Sequence, residues 1–316
     1  MLGLLVAGMV LTGCFTNSTP TTTKITTEFA KVDRPSRVDL PESPCVFEVK
    51  EDITAKDYFK FMDDLVLLQN DILGYELNEY HIARTNPHLI EALAATDYYV
   101  GKEAGLKIED PQAIVILKKG DSLTIPSEEE VATLNDKMAL SSIDVNIPEF
   151  KLRILEAGKV MHEFDVRVGK NTSRYLAMAG RNVSLKTQPG VGTITRTAKD
   201  AKFINPRDNK HYKVTRRDDG VVTKLPNVPW LEPSLNGTRY GHLIHPTTNI
   251  RTLGKPASNG CIGTSEYAGW YIYFHAPIGT RVQFRYDLDV AGSEEKLKDI
   301  YPGYEKRWDR IEAKQA

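Results

Sequence analysis

The sequence predicts an α+β chain, with a mainly-β domain over residues 140–288 behind a helical region at 49–135. Three observations carry this. Apolar residues recur at spacings of three and four from Ile53 to about Leu73, the helical period. From residue 140 the period drops to two. Gly158, Gly169, Pro189-Gly190 and Gly192 then punctuate the chain at turn-like intervals, as in a sandwich or partly open barrel. With 41% apolar and 26% charged residues among 316, the chain has the composition of a globular protein, not of a polytopic membrane protein or a disordered chain. A formal charge of −1 leaves no electrostatic footprint for nucleic acid. The three cysteines, Cys14, Cys45 and Cys261, are too few for a disulfide scaffold.

Residues 1–13, MLGLLVAGMVLTG, are too short to span a bilayer and fit the apolar core of a secretory signal. No Lys or Arg precedes the run, so a charged n-region is missing or the start lies upstream. Leu11-Thr12-Gly13-Cys14 resembles the bacterial lipobox, which implies lipidation at Cys14 and an extracytoplasmic, membrane-anchored body. Phe15 follows Cys14 where an Asp would retain the protein at the inner membrane, so in a diderm the expected site is the outer membrane, facing the periplasm. Residues 14–48 carry seven Thr between 15 and 27, then Pro35, Pro41 and Pro44, and read as a tether. Cys45 at its end reads as a small hydrophobe or a free thiol, not as a partner for Cys261.

In the 49–135 region, Tyr58, Phe61, Met62, Leu65, Leu68 and Ile72 form the apolar stripe of one helix, with Gly74 as its C-cap. Asn86-Pro87 opens a second helix carrying Leu89, Ile90, Leu93 and Ala94. Residues 113–126, AIVILKKGDSLTIP, suggest a hairpin about a Lys-Gly-Asp turn. GDSLTIP is similar to wall-binding LysM modules but is too short to assign one. In the strand region Phe150, Leu152 and Ile154 alternate with Lys151, Arg153 and Leu155. Val160, His162, Phe164, Val166 and Val168 share one strand face, and His162 reads as structural. Residues 289–316 read as a C-terminal helical tail, with Leu297, Ile300, Tyr304, Trp308 and Ile311 at helical spacing, broken at Pro302-Gly303.

The chemistry concentrates in residues 240–264, YGHLIHPTTNIRTLGKPASNGCIGT. A strand is expected to end at Ile244-His245, and Thr264 and Ser265 to cap a helix over 266–275, followed by a strand over 281–287. Cys261 reads as lying just before that helix's N-terminus, whose dipole favours thiolate. The amides of Gly260, Cys261 and Ile262 are expected to converge as an oxyanion hole. A thiolate, a histidine base and such a hole together make acyl-transfer machinery.

IHPTTNIRTLGKPASNGCIG resembles the L,D-transpeptidase catalytic domain, or YkuD domain, whose signature runs from an Ile-His strand end to Ser-His-Gly-Cys-Ile-Arg. LKTQPGVGTI, VNIPEFKLRILEAGKVMHEFDVRVGK and Gly279-Thr280-Arg281-Val282 are similar to its flanks, so the resemblance covers about 140–288 and not the N-terminal helices. It implies Cys261 as nucleophile and His245 as base, oriented by the Pro246 carbonyl, with Ser258 and Asn259 as further orienting residues. His242 lies on the opposite strand face from His245 and is set aside as base. Two residues depart from the pattern. Asn259 stands for a second His and cannot titrate, and Gly263 stands where Arg or Asn is usual. Arg251, Arg239 and Arg181 are candidates to supply that contact, with Tyr240 a further substrate-binding candidate.

The implied reaction is peptidoglycan cross-linking in cell-wall biogenesis and cell shape. Cys261 forms an acyl-enzyme with a tetrapeptide stem, D-Ala leaves, and an acceptor amine completes a 3→3 link. Stem peptides and carbapenem-type inhibitors are the expected partners, and neither cofactor nor metal is needed. The alternatives are an L,D-carboxypeptidase on the same stems, with water as acceptor, and a non-catalytic peptidoglycan-binding lipoprotein.

Overall fold

The computed structural model describes residues 45–205 and 208–288. The signal at 1–13, the lipidation site Cys14, most of the tether and the 289–316 tail lie outside the described residues. No helix among the described residues is long and apolar enough to cross a membrane.

Period-two alternation from residue 141 produces one eight-stranded sheet. In chain order its strands are β1 (Ser141–Asn146), β2 (Lys151–Glu156), β3 (Lys159–Asp165), β4 (Gly190–Ala198), β5 (Trp230–Leu235), β6 (Ile244–Pro246), β7 (Ile262–Thr264) and β8 (Arg281–Arg285). Their order across the sheet is β7-β6-β5-β4-β8-β1-β2-β3. Two neighbouring pairs, β6 with β7 and β8 with β1, are parallel. The chain leaving β3 then runs to the opposite edge. Arg167 bridges Gly263 of β7, donating N–H to its carbonyl at 2.8 Å and accepting its N–H at 2.9 Å. The sheet is thereby a nearly closed barrel, in agreement with the mainly-β class expected.

The inward residues Ile143, Val145, Leu152, Ile154, Ile194, Leu231, Ile244, Ile262, Val282 and Phe284 are buried in the core. Five of the six α-helices among the described residues precede the sheet: α1 (Tyr58–Leu73), α2 (Glu79–Thr85), α3 (Pro87–Ala94), α4 (Tyr98–Glu103) and α5 (Glu128–Ala139). The sixth, α6 (Glu266–His275), is buried on nearly all sides because the sheet and the N-terminal helices both press on it. Tyr58 and Phe59 of α1 meet Trp270 at ring-centroid distances of 6.0 and 5.9 Å. The N-terminal helices and the sheet thus share one core.

Local signals explain the helix ends. Gly74 takes the left-handed conformation at φ 71°, which an L side chain resists, and so stops α1. Pro87 occupies the first turn of α3. Ser265 accepts the Ala268 N–H and caps α6 as expected.

Several expectations are corrected. The buried stripe of α1 is Tyr58, Met62, Leu65 and Gln69, and Leu68 and Ile72 are exposed, because the face that meets α6 begins at Tyr58. The apolar run at 113–126 is not a hairpin. Val115–Leu117 pairs with Ile53–Thr54, and Ser122–Ile125 pairs with Cys45–Glu48. The second pairing also moves the tether's end from residue 48 back to before Cys45, which is a free, exposed strand residue. His162 is half-buried and stacks on Phe164 with ring centroids 6.0 Å apart, consistent with a structural role.

One polar tie fastens the loop beside the site to α6. Arg217 and Glu266, 0% and 2% exposed, form an ion pair, and Arg217 Nε also donates to Thr223 Oγ1 at 2.8 Å. Arg217→Met strands a buried carboxylate, which costs about 3–5 kcal/mol. Urea unfolding should show a lowered midpoint, and adding Glu266→Leu should recover much of the loss. A midpoint unchanged in the single variant contradicts this assignment.

Candidate active site

Strands β6 and β7 are parallel neighbours, and they set His245 beside the residues that follow Cys261. In their parallel register Ile244 faces Ile262 and His245 faces Gly263. Ile244 and Ile262 point into the core, so His245, Gly263 and, by alternation, Cys261 point to the opposite face. Cys261 sits one residue before β7 and is half-buried, so its sulfur is reachable.

The His245 ring is oriented from its own strand end. His245 Nδ1 lies 2.9 Å from the Pro246 carbonyl oxygen, an acceptor, which places the proton on Nδ1 and the lone pair on Nε2. The Trp230 ring packs 5.0 Å from the imidazole, centroid to centroid. Burial first, then the nearby Arg167 guanidinium, holds His245 down to about 4, against a smaller opposing effect of the Pro246 bond. The imidazole is therefore neutral and able to accept a proton at neutral pH.

The turn that carries Cys261 is held from both sides. Ser258 Oγ donates to the Cys261 carbonyl at 2.6 Å and accepts the Gly260 N–H at 3.1 Å. Thr187 Oγ1 donates to the Gly260 carbonyl at 2.9 Å. In a trans peptide C=O and N–H point apart, so the Thr187 bond aims the Cys261 N–H away from Thr187. Gly260 stands at φ 115°, a conformation an L side chain rarely adopts.

Two features expected of Cys261 are corrected here. Residues 262–264 form a strand, so the first turn of α6 lies about 10 Å further along, at about 3.3 Å per residue, and its dipole does not act on the sulfur. The three proposed oxyanion amides also do not converge. Ile262 N–H donates to Leu243 O at 2.9 Å because it opens a strand, and Gly260 N–H closes its own turn. The Cys261 amide makes no hydrogen bond among the described residues and is the donor left for an oxyanion.

Burial pushes the Cys261 thiol up, partly offset by the Leu243 N–H and by Arg167. The thiol also contacts the Gly241 carbonyl at 3.7 Å. A raised thiol and a lowered imidazole mean a neutral pair across pH 5–8. Alkylation of Cys261 by iodoacetamide, followed by peptide mapping, should therefore rise steadily to above pH 9 with no inflection between 5 and 8. An inflection near 6–7 would indicate a thiolate–imidazolium pair and contradict this.

The remaining candidates separate. His242 is buried and accepts the Gln188 N–H at Nε2, 3.0 Å away, so it serves the scaffold. Tyr240 is exposed and stacks on His242 with centroids 5.6 Å apart, at the rim. Arg239 is engaged by Glu232, its Nη2 donating at 2.6 Å. Arg181 sits at the exposed tip of the hairpin formed by Ser173–Leu176 and Arg181–Ser184. Arg251 is exposed on a 3-10 turn, its backbone bonded to Asp218. Asn259 is half-buried and makes no side-chain hydrogen bond among the described residues. None of the three arginines fills the place at Gly263. Arg167 does so. A Cβ on residue 263 would lie 2.5 Å from Arg167 Nε and 2.7 Å from its Cγ. Sequence reasoning missed Arg167 and Thr187. The available signal for Arg167 was a lone charge out of phase between Val166 and Val168. Among the described residues no three His, Cys, Asp or Glu side chains group as metal ligands.

Residues 141–284 match the family model described as the L,D-transpeptidase catalytic domain, YkuD. No curated protein matches the chain. Among solved structures it is similar to an L,D-transpeptidase from Mycobacterium smegmatis, at 14% identity and a TM-score of 0.33, over 46% of this chain and 58% of that one. A Cys-to-Ser variant of an Enterococcus faecium L,D-transpeptidase gives 17% and 0.30, over 46% and 49%. An L,D-transpeptidase fragment from Xylanimonas cellulosilytica gives 17% and 0.32, over 77% and 100%. The chain thus spans about half the length of the first two. Cys261 and His245 both fall within residues 141–284, the stretch that matches the L,D-transpeptidase catalytic domain model of the YkuD family.

Proposed function

We propose that the chain is a peptidoglycan L,D-transpeptidase with Cys261 as nucleophile and His245 as general base. The observation that carries this reading is the His245 Nδ1 contact with Pro246 O, which leaves Nε2 free on the face that Cys261 shares. In the first half-reaction His245 Nε2 takes the Cys261 proton. The sulfur attacks the carbonyl carbon after the third residue of a tetrapeptide stem, and the Cys261 N–H donates to the resulting oxyanion. The C–N bond then breaks, Nε2 returns its proton to the departing D-Ala amine, and a thioester remains. In the second half-reaction an acceptor amine attacks the thioester and gives its proton to Nε2. The C–S bond breaks, and the sulfur recovers the proton as a 3→3 link forms.

Lipidation at Cys14 would tether this body to an envelope membrane, within reach of the wall. Carbapenems, which present a strained amide, should acylate the same sulfur. The test is to incubate the purified chain with tetrapeptide muropeptides and separate the products. D-Ala release with 3→3 dimers is expected. Tripeptide monomers alone would assign an L,D-carboxypeptidase instead, and unchanged tetrapeptides would leave a wall-binding protein.

A further inference from the structure

Barrel closure lays a cation against Gly263 with no ion-pair partner among the described residues. The backbone bridge between Arg167 and Gly263 lays the Arg167 side chain across the Gly263 Cα. A Cβ at 263 would meet Arg167 Nε at 2.5 Å, Cγ at 2.7 Å and Cδ at 3.0 Å, so only glycine leaves this channel open. Gly263 stands opposite His245 in register and two residues after Cys261. The guanidinium therefore borders the space between nucleophile and base.

Its own bonding is incomplete. Nη1 reaches Thr252 Oγ1 at 3.3 Å, while Nε is buried without a hydrogen-bond partner. Among the described residues Arg167 makes no ion pair. Arg153, Arg196, Arg217, Arg239 and Arg285 of the same sheet and loops are each paired with a carboxylate. An uncompensated, partly buried cation is costly and finds use where a negative charge develops beside it. The titratable groups facing this region are Cys261, His245, Tyr212 and Asp218, with His242 across Gly260. Of these, Cys261 is the one whose anion the proposed reaction generates.

We propose that Arg167 is a positioning residue of the active site, its guanidinium held over Gly263 to stabilise the thiolate of Cys261. The role in turnover rests on the reading of Cys261 as the nucleophile, but the thiol's titration can be followed without any substrate. The side chain reaches the site from the segment after β3 and through the missing Cβ of residue 263, so glycine there is a requirement of the arginine's path.

The test is the pH profile of Cys261 alkylation by iodoacetamide, read by peptide mapping on the full chain. Arg167→Gln should move the profile to higher pH and slow alkylation at pH 7 about tenfold, the equivalent of about one pKa unit. Arg167→Lys should restore most of that rate, because it keeps the charge. Gly263→Ala, which leaves residue 167 unchanged but places a methyl against Nε, should shift the profile in the same direction. It also covers the case in which Arg167→Gln does not fold. Profiles of Arg167→Gln and Gly263→Ala that coincide with the wild type would overturn the proposal and leave Arg167 as barrel packing. Shifted profiles in a chain that makes no 3→3 dimers would keep the thiolate role while removing the transpeptidase reading.

Discussion

Cys261→Ala reduces D-Ala release from tetrapeptide stems to background. Loss of the nucleophile in a covalent acyl-transfer site costs on the order of 10⁶-fold in kcat. The change is confined to the reacting atom. The thiol meets the Leu243 N–H and, at longer range, the Gly241 carbonyl, and the turn is held by Ser258 and Thr187, so the fold should be unaffected. Circular dichroism and the urea midpoint should match the wild type while turnover vanishes. A Cys261→Ala chain that still releases D-Ala at a tenth of the normal rate would place the nucleophile elsewhere. Cys45 is not a substitute, because it lies on an exposed strand paired with Ser122–Ile125.

His245→Ala lowers turnover by about 10²–10⁴-fold, the usual contribution of a positioned general acid–base group. In the proposed mechanism the imidazole serves twice, first as acceptor of the thiol proton and then as donor to the leaving amine, so the loss should fall on kcat more than on KM. Imidazole added to the buffer should restore part of the rate, because the alanine leaves a space beside Trp230. The wild-type acid limb should not appear until the pH approaches about 4, where the lowered His245 begins to protonate. Below that the base is lost and activity falls. A His245→Ala variant within tenfold of the wild type, or an acid limb near 6.5, would remove His245 from its assigned role.

The site was legible in the sequence where local order decides geometry. Ile-His before a loop and Ser-x-Gly-Cys before a capped helix place His245 on one strand and Cys261 at the start of its neighbour, and Pro246 offers its carbonyl by adjacency alone. What was not legible depends on contacts distant in sequence. Arg167 reaches Gly263 only because the barrel nearly closes, and nothing between residues 240 and 264 announces a guanidinium from 96 positions before Gly263. The false hairpin at 113–126 failed for the same reason: its two strands satisfy the alternation rule but pair with Ile53–Thr54 and Cys45–Glu48 instead. The α6 dipole is separated from Cys261 by three residues that the sequence leaves ambiguous, Ile262–Thr264, which extend as a strand before α6 begins. Arg239 drew attention as an unassigned charge, and its carboxylate partner Glu232 lies on the adjoining strand β5.

The most direct measurement is the mass of the intact chain after incubation with a carbapenem, followed by peptide mapping. A stable gain of one inhibitor mass on the peptide containing Cys261, absent from Cys261→Ala and slowed in His245→Ala, is the predicted result. An unmodified Cys261 under conditions where iodoacetamide alkylates it would show a reachable thiol without acyl-transfer chemistry, and would contradict the account.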